Sequence, residues 1–204
     1  MDTMKSTSDS MNEAQSLLVI KEMIEVSRKK LKRDGILFIV WGWALFFVSL
    51  SGYIGRSFVL TFTLENILKI FEIVPPLLAV TFTIYYIIKQ RKKVQTYIGN
   101  SLRYVWISLF VSMVLVNLIQ FNVLKSINFE LQHPIFMVLM AFAVTVTGGI
   151  LRYRLIIIGG VVFGLLALIA SYLNLQEQLL IESAAWIIAF IIPGHLLYAN
   201  REKK

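Results

Sequence analysis

From Ile36 onward the chain alternates apolar runs with short polar breaks, and each run is about the same length. The runs lie near 36–55, 69–88, 102–121, 132–151, 155–174 and 179–198. About 20 residues at ~1.5 Å per residue match a hydrocarbon core of roughly 30 Å. Backbone amides inside that core find no water, so each segment must satisfy its own, and a helix does so. The pattern predicts an all-α polytopic membrane protein with six transmembrane helices filling residues 35–200.

The remainder is short. Residues 1–34 form a polar N-terminal segment, and 201–204 a basic tail. Ser10 and Glu13 have the spacing of a capping box, in which each side chain satisfies an amide of the other's turn. A helix from there to about Asp34 would put Leu17, Ile20, Ile24 and Leu31 on one face. Its second half, "RKKLKRDG", is strongly basic and stops at Gly35. The stretch is too polar and too long for a signal-peptide start, and no small-residue cleavage site follows. It reads as a retained cytoplasmic amphipathic helix.

Charge then sets the orientation. The chain has 20 Lys and Arg against 12 Asp and Glu, a net charge of +8. In a soluble domain that balance would suggest nucleic acid. Here seventeen basic residues fall on one side of the six segments, leaving only Arg56, Lys69 and Lys125 on the other. Basic residues stay on the cytoplasmic side, so both termini are expected there and no nucleic-acid partner is implied. The expected partners are the bilayer itself, a cytosolic protein or anionic lipid met by residues 10–34, and a second copy of the chain.

The chemistry-bearing residues are few. There is no cysteine, which removes thiolate metal sites and Cys nucleophiles. None of the H-E-x-x-H, G-x-S-x-G or P-loop patterns occurs. Two histidines cannot make a zinc or haem site without help. No enzyme activity, cofactor or metal is expected.

Two clusters remain. The hairpin "GGILRYRLIIIGG" places Arg152 and Arg154 at the cytoplasmic face, where both can snorkel among headgroups and fix topology. A break at Pro193–Gly194 could aim His195 at them and complete an anion or lipid-headgroup site. Toward the outer side lie Glu72, Asn117, Gln120, His133 and Glu182, with Glu72 and Glu182 each read as one turn inside its helix. Polar and ionisable groups in a membrane segment are candidates for a proton, metal or cation site. The competing reading is interfacial solvation.

Helix packing supplies further expectations. A turn centred on Tyr153 would pair Phe142 with Gly164, Val146 with Gly160 and Gly149 with Ile157, large against small. Gly160 and Gly164 form a GxxxG, and Ala141, Thr145 and Gly149 a small-residue series; membrane helices approach closely along such faces. Pro75–Pro76 should kink or break the second helix. Trp41, Trp43 and Trp106 suit an interfacial aromatic belt.

The basic N-terminal stretch, "FIVWGWALFF" and "IIPGHLLYANREKK" together resemble small multi-pass inner-membrane proteins of bacteria. The resemblance spans most of the chain and implies a cytoplasmic-membrane location. It brings no activity and no site residue. The functional expectation is a scaffold or regulatory membrane subunit, with a small transporter or channel subunit as the alternative.

Overall fold

The computed structural model describes residues 15–18, 21, 35–90 and 97–199, and every element in them is helical. Seven α-helices follow Gly35: α1 (Gly35–Ser57), α2 (Phe62–Gln90), α3 (Tyr97–Leu124), α4 (Phe129–Leu151), α5 (Arg154–Ala170), α6 (Leu175–Trp186) and α7 (Ile192–Ala199). A π-helical turn, Ile187–Ile191, joins α6 to α7, so the three run as one rod. Among the described residues, five helices are long and apolar enough to cross a membrane, the rod among them. The remaining apolar helix, α5, has 17 residues, about 25 Å of rise.

Several boundaries differ from the hydropathy reading, and the caps explain two of them. Asn128 accepts the Leu131 amide at 3.1 Å and starts α4 at Phe129. Asn174 accepts the Glu177 amide at 3.1 Å and starts α6 at Leu175. A side-chain oxygen satisfying an orphan amide of the first turn makes an earlier start favourable. The turn at 171–174 likewise shortens α5. Of the N-terminal stretch, residues 15–18 and 21 are helical, and Leu17 is exposed. Ser10, Glu13, Ile20, Ile24 and Leu31 lie outside the described residues, as does the tail.

Four elements form the interior: α1, α4, α5 and the α6–α7 rod. Trp186 is its centre, with the Phe163 and Phe190 rings each 5.0 Å from it in edge-to-face contact. Phe190 in turn meets Phe38 at 5.3 Å and Trp106 at 6.3 Å. Trp106 therefore packs inward rather than only marking an interface. Trp41 also has an inward partner, Thr83 of α2, whose hydroxyl accepts its indole N–H at 2.9 Å.

Close backbone approach fixes the α1–rod contact. A methyl group on Gly42 would lie 2.9 Å from the Phe190 Cβ, and one on Gly194 would lie 3.0 Å from the Ile39 nitrogen. Gly35, the first described residue of α1, meets the Gly194 carbonyl in the same way at 2.9 Å. Small residues give membrane helices their closest contacts because lipid supplies no hydrophobic drive between them.

By contrast, α2 leans on α1 along one stripe that includes Leu68, Glu72, Ala79 and Thr83. Similarly, α3 packs against α4, with Val105, Trp106, Leu109 and Met113 on its core side. Their other faces are exposed and apolar. Neither Pro75 nor Pro76 breaks α2, which stays helical from Phe62 to Gln90. The cost is local: Phe71 and Glu72 lose the amide donors that residues 75 and 76 would otherwise supply.

The α4–α5 hairpin is tighter than a turn centred on Tyr153. Arg152 adopts the left-handed conformation, φ 51° and ψ 44°. Its amide donates to the Gly149 carbonyl at 3.1 Å, and the Tyr153 amide donates to Gly148 at 3.0 Å. This is a Schellman motif. Tyr153 then starts α5 directly. With only two residues in the corner, the register moves by one position. Gly148, Thr145 and Ala141 face Ile157, Gly160 and Gly164, respectively, while Phe142 is 69% exposed and Gly149 meets nothing. The expected large-on-small pairing is replaced largely by small on small.

Candidate functional site

The turns at 58–61, 125–128 and 171–174 share one end of the bundle, here called distal; the Arg152 corner lies at the proximal end. Among the described residues, the distal end carries the densest interhelical polar network. It begins with a proline. Pro134 lies in the second turn of α4 and cannot donate to the Glu130 carbonyl four residues back. Gln178 of α6 supplies the missing donor: its Nε2 lies 3.0 Å from the Glu130 oxygen and 2.9 Å from the Leu173 oxygen. The side chain is buried, so one amide group ties α4, α6 and the turn before α6 together.

One turn further along α6 is Glu182, whose Oε2 lies 2.9 Å from His133 Nδ1. Its other oxygen accepts the Trp186 indole N–H at 3.3 Å. Gln178, Glu182 and Trp186 are spaced by four and share a face of α6. That spacing was available in the sequence and would have located Gln178 and Trp186, which the hydropathy reading passed over. Glu182 is two turns into its helix rather than one, because Asn174 starts α6 early.

The other polar residues go elsewhere. Glu72 is ten residues into α2, about 15 Å along the helix, again deeper than one turn. Its Oε1 and the Arg56 guanidinium both approach the Gly52 position, at 3.8 and 3.3 Å from where a Cβ would stand. Arg56 itself donates to the Gly52 carbonyl at 3.2 Å. Asn117 donates to the Met113 carbonyl of its own helix at 3.0 Å. Gln120 accepts the Asn128 amide at 3.2 Å and so braces the α3–α4 turn. His133 and Glu182 meet; Glu72, Asn117 and Gln120 do not join them.

A pair of donors is a thin basis for a metal. Among the described residues no group of three His, Cys, Asp or Glu side chains gathers. What the pair does is join α4 to α6, with the imidazole Nδ1 set against a carboxylate oxygen.

At the proximal end Arg152 and Arg154 are exposed, and Tyr153 between them is half-buried. Burial pushes the Tyr153 phenol above its ordinary value and keeps it neutral. His195 is exposed too, with Nδ1 2.9 Å from the Ile191 carbonyl of its own helical rod. Among the described residues, no hydrogen bond joins His195 to either arginine. The π turn accounts for the helix's continuity there: it shifts the backbone pairing just before Pro193, so the rod passes the proline unbroken.

No protein-family model matches the chain, and no curated protein or solved structure is significantly similar to it. Its apolar helices fit an integral, multi-pass membrane protein in contact with lipid. Any finer functional reading rests on the geometry.

Proposed function

We propose that the chain is a six-crossing protein of a bacterial cytoplasmic membrane, with both termini cytoplasmic, that acts as a scaffold or regulatory membrane subunit. The sequence order of the basic residues supports the orientation, since six alternating crossings assign seventeen of the 20 to the cytoplasmic side. On this reading α5 crosses with the others, its shortfall met by the Arg152 and Arg154 side chains reaching the headgroups.

One observation carries the choice of a scaffold over a conduit. Glu72, Asn117 and Glu182, which a transport path would gather, instead lie apart: Glu72 beside Gly52 of α1, Asn117 bonded within its own helix, and Glu182 on His133 of α4. Aromatic rings and glycine contacts occupy the space between the four interior elements. The exposed apolar faces of α2 and α3 suit lipid or partner helices, and residues 10–34 suit a cytosolic protein or the anionic surface. A small transporter or channel subunit is the second reading, favoured by the His133–Glu182 pair alone.

Proteoliposomes separate the two. The scaffold reading expects no proton or ion flux above empty vesicles, and a photo-crosslinker at Leu17 that captures one defined protein or anionic lipid in cells. Flux abolished by Glu182→Gln, with no adduct at Leu17, would overturn it.

A further inference from the structure

We infer that His133 and Glu182 form a proton-responsive clasp that holds the distal ends of α4 and α6 together. The inference stands whether the chain scaffolds or transports. The two side chains come from helices 49 positions apart in sequence and meet at 2.9 Å. Their exposures, 28% and 16%, admit a proton from the aqueous side yet limit screening of the pair.

Geometry makes Glu182 a fixed acceptor. Trp186 holds its other oxygen, and Trp186 is itself locked between Phe163 and Phe190. The imidazole therefore meets a carboxylate that does not follow it.

The surrounding charges are few. On α4, Glu130 is exposed and offers only its backbone carbonyl to the network; on α6, Glu177 is exposed and offers only its amide. The α5 helix carries no titratable side chain except Arg154 at its far end, and Tyr172 in the following turn is exposed. On α1, Arg56 bonds Gly52 near Glu72 of α2; α3 carries Arg103 near its proximal start and no further charge before Lys125 beyond its distal end. Glu182 is the acid that His133 contacts.

The sign follows from the donor. A neutral imidazole protonated at Nδ1 gives a neutral-donor hydrogen bond; the imidazolium gives a charge-assisted one about twice as strong. The clasp therefore holds more tightly with His133 charged than with His133 neutral.

Spin labels test this in the full chain in nanodiscs. The native chain has no cysteine, so Leu131→Cys and Leu180→Cys, both at exposed positions, place one label on each helix. The label separation should lengthen or broaden as pH rises from about 5 to about 8, the range in which histidine switches. Adding His133→Gln, whose amide donates at every pH, should abolish the response, and so should Glu182→Gln. Replacing the only other histidine, His195→Gln, should leave it intact. A pH-independent separation in the labelled parent, or an undiminished response with His133→Gln, overturns the clasp.

Discussion

Gly160 of α5 stands against Thr145 of α4 at a distance that leaves no room for a side chain. A methyl group at 160 would meet the Thr145 backbone nitrogen at 2.7 Å and the Ala141 carbonyl at 3.0 Å. Because the obstacle is backbone, no rotamer change relieves it, and the helices would have to separate. Gly160→Ala should cost roughly 1–3 kcal/mol, as overpacking does. Gly149 is the control, since a methyl group there meets nothing within 4 Å. Gly149→Ala should be neutral or stabilise by up to about 1 kcal/mol through helix propensity. Unfolding of both variants in the same detergent checks the register: a turn centred on Tyr153 would set Gly149 against Ile157 and make Gly149→Ala costly as well.

That one-residue difference shows what the sequence could reveal. Apolar run length is a property of single residues and survives any packing, so the helical class and approximate spans were legible. Depth was less so. Hydropathy windows average over caps, and Asn128 and Asn174 moved two helix starts outward, carrying His133 and Glu182 deeper. Register depended on the conformation of Arg152 alone; arginine seldom adopts the left-handed state, so composition gave no sign of it. The His133–Glu182 contact joins residues far apart in sequence, and only the crossing of α4 and α6 brings them together. For the same reason Glu72 and Asn117, placed at a similar level by counting, turn toward different neighbours.

The corner itself gives the next expectation. An L-residue in the left-handed region costs about 1–2 kcal/mol per residue, and glycine does not incur that strain. Arg152→Gly should therefore raise stability by about 1 kcal/mol, less what glycine's extra freedom in the unfolded chain subtracts. Arg152→Val, branched at Cβ, should lower it. Thermal unfolding of the three proteins decides the matter; equal stabilities would mean that the corner relaxes out of this conformation.

Gln178 compensates for Pro134, and the dependence is measurable. Gln178→Leu leaves the Glu130 and Leu173 carbonyls without their donor, at a cost of roughly 1–3 kcal/mol. Pro134→Ala restores an amide four residues after Glu130, within α4 itself. In that background Gln178→Leu should cost less, with only the Leu173 bond still lost. A double-mutant cycle should thus show coupling between two residues on different helices. Strict additivity would mean that Gln178 supports the turn before α6 and not α4.

The α1–α2 contact rests on a relay. The Trp41 indole donates to the Thr83 hydroxyl at 2.9 Å, and that hydroxyl donates to the Ala79 carbonyl at 2.7 Å. Each bond polarises the next, so the chain should be worth somewhat more than two isolated bonds. Trp41→Phe keeps most of the aromatic packing and removes the first donor, at a cost of roughly 0.5–1.5 kcal/mol. Thr83→Ser keeps the hydroxyl and should be milder than Thr83→Val, which removes it. Once Thr83→Val is present, Trp41→Phe should cost little more, because its partner is already gone. Because α2 meets α1 along a single stripe, the loss should appear first as easier separation of these helices. Crosslinking between engineered cysteines on α1 and α2, followed as detergent is raised, should weaken before the four interior elements unfold. Simultaneous loss of both signals would place Trp41 in the common core instead.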